Sequence, residues 1–80
     1  MHFVYLIRSI KHPGHHYVGY SVNVTDRLDG HNKGKSVHTN KFKPWKLAVY
    51  FAFVDEQQAK RFERYLKTGS GRAFLKKHFL

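Results

Sequence analysis

Two stretches rich in β-branched and aromatic residues, His2–Ser9 (HFVYLIRS) and His16–Tyr20 (HYVGY), lie on either side of His12-Pro13-Gly14. Proline presets φ at the first corner of a turn, and glycine accepts the positive φ that a type II turn requires at the second. This pattern of run, turn and run predicts a β-hairpin.

Further along, Asn23 is a good N-cap, and Val24, Leu28 and His31 recur at helical spacing before Gly34 closes the segment. Gly30 weakens that helix by about 1 kcal/mol relative to alanine, so its last turn is expected to fray. Lys35–Pro44 reads as a polar, basic loop. Trp45–Val54 (WKLAVYFAFV) is the most apolar stretch and reads as a central strand covered on both faces. Asp55 then caps a second helix, with Gln58 as capping-box partner and Ala59, Phe62 and Leu66 as its apolar stripe. Gly69 is expected to stop this helix, and Ser70 to open a short last one carrying Phe74, Lys76, Lys77 and Phe79. The order is β-β-α-β-α-α, an α/β (α+β) arrangement in one domain, residues 1–80, with no internal repeat or linker.

A chain of 80 residues buries only about 60% of the surface its unfolded form exposes, so large side chains have to supply the core. Aromatics make up 16% of the residues, which a disordered basic tail would lack. Fifteen Lys and Arg face five acids, a net charge of +10. That imbalance favours a polyanionic partner, since each phosphate neutralised releases condensed counterions. It says nothing about catalysis; a structural RNA-binding or ribosomal-type protein has the same charge. There is no cysteine, which excludes disulfides and thiolate zinc sites. No apolar run is long enough for a membrane span, and no leader-like segment opens the chain, so the expected setting is cytoplasmic.

Acids are scarce, so each is informative. Asp55 and Glu56 sit at a helix start, where they suit the macrodipole. Asp26 and Asp29 lie on the first helix among basic neighbours. Glu63 falls mid-helix beside Phe62, at the edge of the apolar stripe. It reads either as a surface acid paired with Lys60, Arg64 or Lys67, or as the one protein ligand of a Mg²⁺ that takes waters and phosphate oxygens for the rest. Arg27 and His31, four apart, share a helix face. They read as a phosphate clamp with a proton donor beside it, or as a solvated basic face with a packed histidine. Tyr5 and Tyr17 lie on the paired strands and face one side; a phenol there is core unless a nearby cation or metal makes it a base. The histidines of His12-Pro13-Gly14-His15-His16 read as turn residues rather than metal ligands.

Taken in order, these residues resemble the GIY-YIG nuclease superfamily, in particular its small bacterial members and the structure-specific and repair-nuclease branches. Phe3-Val4-Tyr5 resembles the first half-motif and Tyr17-Val18-Gly19 the second. The stretch from Tyr20 to Leu28, then His31-Asn32-Lys33-Gly34, and the tail from Phe62 to Phe74 continue the likeness over nearly the whole chain. The resemblance implies a three-stranded antiparallel sheet flanked by helices and a metal-dependent endonuclease acting on DNA. It implies that Glu63 binds one Mg²⁺ or Mn²⁺ ion, that Arg27 steadies the scissile phosphate, that Tyr5 or Tyr17 is the general base, and that His31 lies near the nucleophile or phosphate. Gly19 would allow close backbone approach. Lys33, Lys35, Lys41, Lys43 and Arg72, with Arg27, are the expected nucleic-acid contacts. Three departures stand out: Phe3 replaces the first glycine, Tyr20 stands where the repair branch has a lysine, and no asparagine follows Glu63. The rival reading is a GIY-YIG-shaped module that binds nucleic acid, DNA or RNA, with little turnover, alone or with a partner protein. Substrate structure and oligomeric state are left open.

Overall fold

In the computed structural model, which describes residues 1–80, the hairpin forms from β1 (His2–Ser9) and β2 (His16–Ser21). The strands run antiparallel from Phe3 opposite Ser21 to Arg8 opposite His16. The Ser9 amide donates to the His15 carbonyl at 3.0 Å and closes the turn end, and within the turn the His15 amide donates to the His12 carbonyl at 2.8 Å. Gly14 does not adopt a positive φ, so the expected type II geometry is overturned. Then follow α1 (Val24–Asn32), a 3-10 turn (Asn40–Phe42), β3 (Trp45–Phe53), α2 (Glu56–Leu66) and α3 (Gly69–His78). The class and order match the sequence reading.

The sheet order is β2-β1-β3, all antiparallel. The central strand is therefore β1, and the expectation that Trp45–Val54 lies at the centre is overturned. The reason lies in burial on two faces. Val4, Tyr5, Leu6 and Ile7 are all buried, so side chains on both faces of β1 are covered. Strand β3 alternates between half-buried Val49, Phe51 and Phe53 on one face and exposed positions such as Tyr50 on the other. An apolar run reports how much a strand can bury, not how many neighbours it has. One extra residue on β3, Ala48, is left without a partner where the register shifts between Leu6 and Ile7.

Alternation along β1 sorts the core into two clusters. Val4, Leu6 and Val18 pack under α2 and α3 with Ala59, Leu66 and Leu75. On the other face Tyr5, Ile7 and Trp45 pack with Tyr17, Val24, Leu28 and Phe42, beneath α1 and the segment that follows it.

Caps locate the helices. The Asn23 carboxamide accepts from the Asp26 amide at 3.1 Å, and the Asp55 carboxylate from the Gln58 amide at 3.2 Å, as the sequence suggests. Helix α1 continues through Gly30 to Asn32, and Gly34 beyond its end adopts φ +78°. The last helix begins earlier than expected. Thr68 caps it, its hydroxyl accepting from the Gly71 amide at 3.2 Å, so Gly69 opens α3 rather than stopping α2. The close turn between the two helices depends on Gly71, where a Cβ would overlap the Tyr65 carbonyl oxygen and Leu66 Cα. Gly69 has open space around its Cα.

These two glycines are expected to respond oppositely. Gly71→Ala, obstructed by backbone, should lose about 1–3 kcal/mol of stability, whereas Gly69→Ala should gain about 0.4–1 kcal/mol by restricting the unfolded chain. Urea denaturation of both variants checks this.

Candidate active site

Register decides which side chains meet. Tyr5 lies opposite Gly19, and Tyr17 opposite Ile7, so both tyrosines face the α1 side of the sheet. Gly19 has no side chain, and the Tyr5 ring occupies the room a Cβ would need; one built there would overlap the phenol oxygen and Cζ. The ring is thereby laid across β2 toward its free edge. There it meets His31 in the last turn of α1, with Tyr5 Oη 2.8 Å from His31 Nε2. The other ring nitrogen, Nδ1, lies 2.6 Å from Thr39 Oγ1. The ring centroids of Tyr5 and Tyr17 stand 5.9 and 5.3 Å from that of His31.

The loop behind His31 is anchored as firmly as a regular element. Thr39 is fully buried, and its carbonyl accepts from the Trp45 indole N–H at 2.9 Å. Asn32 binds both backbone groups of Trp45, accepting from its amide and donating to its carbonyl. The end of α1 is thus tied to the start of β3. Arg27, one turn before His31, is exposed. It opens with His31, Lys35 and His38 onto a cavity of about 480 Å³.

Burial and charge oppose each other at Tyr5. Desolvation pushes its phenol above the usual value, the Arg27 guanidinium beside it pulls back, and Tyr17 and Glu63 add smaller upward pushes. Tyr5 is therefore a neutral phenol at pH 7. His31 is moved down, by burial first and then by Arg27, so its imidazole is neutral at the same pH.

Glu63 reaches this cluster by an indirect route. Its helix, α2, covers the opposite face of the sheet from Tyr5. Because β2 is an edge strand, the two faces communicate around its free edge. Glu63 Oε2 accepts from Lys67 Nζ at 3.2 Å, and that ammonium lies 5.6 Å from the centre of the Tyr17 ring. Glu63 is 22% exposed, and its Oε1 has no partner in the protein. The paired-acid reading thus holds for Lys67, and through that ammonium the acid is linked to the Tyr17 phenol.

The remaining expected contacts divide. Lys35 borders the Arg27 cavity, and Arg72 shares a smaller cavity with Tyr17 and Lys67. Lys33 pairs with Asp29 at 2.8 Å, Lys43 donates to Asn40 at 2.9 Å, and Lys41 lies over the Phe42 ring. These three line neither cavity. Sequence reading missed Thr39, which looks like loop filler and gives no spacing signal.

Metal chemistry at this site is limited by its donors. No three His, Cys, Asp or Glu side chains cluster anywhere in the fold, the histidines of the hairpin turn included. A closed transition-metal site takes three or four such ligands. A single half-buried carboxylate with one unpartnered oxygen does fit Mg²⁺ or Mn²⁺, ions that keep most of their waters and bind through one or two carboxylates plus phosphate.

Comparison with known proteins agrees with this fold. The family model of the GIY-YIG catalytic domain matches residues 1–77. A similar solved structure is the solution NMR structure of the UPF0213 protein BH0048 from Bacillus halodurans. It is 28% identical, with a TM-score of 0.56, over 95% of this chain and 82% of that one. No curated protein matches the chain.

Two outcomes test the Tyr5–His31–Thr39 chain. Thr39→Val should cost about 1–3 kcal/mol by leaving a buried Nδ1 without a partner. The sign of the pH dependence follows from a depressed histidine. Below its ordinary value of about 6.5 the unfolded chain binds a proton that folded His31 refuses, so stability falls as pH drops through that window toward the folded value. His16, also shifted down, acts in the same direction. Urea denaturation at several pH values should show the loss, and His31→Gln should reduce it to the part that His16 contributes.

Proposed function

The chain belongs to the GIY-YIG catalytic domain family, and from that membership we propose that it is a Mg²⁺- or Mn²⁺-dependent endonuclease hydrolysing phosphodiester bonds in DNA. Membership itself carries nuclease activity on nucleic acid; DNA, the ion and a cytoplasmic role in processing structured or damaged strands are the finer reading. The observation that carries it is the convergence at the free edge of β2. Tyr5 and Tyr17 both pack their rings, tilted, against His31, Arg27 lies beside them, and Glu63 is linked to Tyr17 through Lys67.

Glu63 would hold the ion, which when bound supplies Lewis-acid stabilisation of the phosphate and the leaving oxygen. The rest falls to the protein's own groups. Arg27, exposed at the cavity mouth, clamps the scissile phosphate and neutralises charge gathering on its oxygens. Tyr5 is buried and held by His31, so water has poor access to it. Tyr17 is half-exposed and shares a cavity with Lys67 and Arg72, which makes it the better placed phenol to take a proton from water. Tyr5 and His31 then act by position. Their hydrogen bond fixes α1, and with it Arg27, against the sheet.

The Lys67–Glu63 ion pair favours a second reading, a binding module with little turnover, because the ammonium competes with any cation for the carboxylate. One set of assays separates the two. On the endonuclease reading EDTA stops nicking, and Glu63→Gln loses cleavage while retaining DNA affinity. Arg27→Ala should lose about 10²–10³ in rate, and Tyr17→Phe about 10²–10⁴. Tyr5→Phe should lower stability more than rate. Nicking of supercoiled and branched DNA by Glu63→Gln at the wild-type rate would exclude the assignment. Binding without nicking by the wild type would select the module.

A further inference from the structure

A second cavity, of about 540 Å³, lies between the hairpin turn and α3, lined by Arg8, His15, His16, Arg72 and Lys76 together with Pro13, Gly14 and Leu80. Its cations come from two directions. Arg8 and His16 are a directly opposed cross-strand pair at the turn end of β1 and β2. Arg72 and Lys76 are four apart on α3 and share a face. The Arg8 Nε donates to the Pro13 carbonyl at 2.8 Å, which fixes the guanidinium and leaves its terminal nitrogens for a ligand.

No side-chain acid balances this charge. Among the five carboxylates, Asp29, Glu56 and Glu63 pair with Lys33, Lys60 and Lys67. Asp55 caps α2, and Asp26 sits in the first turn of α1. None lines the cavity, and Arg8, Arg72 and Lys76 form no ion pair. Unpaired cations converging on a concavity attract an anion, and arginine's fork suits phosphate. The cavity also adjoins the Tyr17 side of the candidate active site. His16 and Arg72 line both it and the smaller cavity that contains Tyr17 and Lys67.

We propose that the Arg8–Arg72–Lys76 cavity is a phosphate-binding subsite that holds the backbone of a nucleic-acid strand running on from the cleavage site past Tyr17. It rests on the nuclease reading for the identity of its ligand, but not for its capacity to bind phosphodiester. Backbone contacts position a strand without reading its bases, so this subsite sets register at the Tyr17 end and leaves sequence choice untouched.

The test is binding of a fluorescent oligonucleotide in EDTA, where no cleavage occurs, measured by anisotropy across a salt series. Arg8→Gln and Lys76→Glu are the variants. Lys76 is exposed on α3, so its replacement keeps the fold, and thermal melts check Arg8→Gln. Each should weaken binding equally for unrelated sequences and reduce the slope of log K against log salt by about 1 per contact removed. Titration with inorganic phosphate should shift the NMR amides of Arg8, His16, Arg72 and Lys76. Wild-type slope and affinity in both variants would overturn the subsite, even if the protein cuts DNA. Reduced slopes in a protein that never cuts would keep the subsite and refute the hydrolase. A wild type that binds neither oligonucleotide nor phosphate refutes both.

Discussion

The Tyr5 ring lying across the backbone of Gly19 is the contact on which the rest of the site is built. A side chain at residue 19 would push the ring away, and a ring pushed away could not place its hydroxyl on His31. His31 is held on its far side by Thr39, Thr39 by the Trp45 indole, and Trp45 by Asn32 at the end of α1. A loop that looks free in sequence is thus closed into a ring of buried hydrogen bonds, each of which would be costly to leave unmade. Its effect is to fix the face of α1 that carries Arg27 over the edge of the hairpin.

A three-stranded sheet with the hairpin's second strand at its margin gives this arrangement its second half. Helix α2 belongs to the other layer of the core, and in a wider sheet its Glu63 would be screened from the tyrosines by further strands. Here the margin is open, and Lys67 bridges it, paired to Glu63 and poised over Tyr17. The shortage of acids leaves Glu63 as the carboxylate on the Tyr17 side of this corner and Asp26 as the one that lines the Arg27 cavity. So small a donor set suits a hard ion that takes water and phosphate for the rest of its shell.

Much of this could be read from the residues. The hairpin was visible because proline and glycine mark its turn, and the first two helices because Asn23 and Asp55 are strong caps. Tyr5 and Tyr17 facing one way follows from strand parity. Four features were not visible. The central strand was misjudged because WKLAVYFAFV is apolar in content, while the sheet order depends on which edge of the hairpin the chain returns to. The start of α3 was missed because Thr68 caps through its hydroxyl, two residues before the serine that looked like the cap. Thr39 and the approach of Glu63 around the sheet edge are long-range facts that no local spacing encodes. A basic loop likewise shows charge and not the neighbours that engage it: Lys33 pairs with Asp29, Lys43 with Asn40, and Lys41 lies over the Phe42 ring.

The account depends on one location, the free edge of β2, serving as the meeting point of cation, acid and strand. Paramagnetic broadening by Mn²⁺ of the protein's amide NMR signals, recorded with a non-hydrolysable phosphorothioate DNA, reports that location directly. The account predicts broadening centred on Glu63 and reaching Tyr17 and Gly19 across the edge. Broadening centred on Asp26 and Asp29 of α1, with Glu63 unaffected, would contradict it.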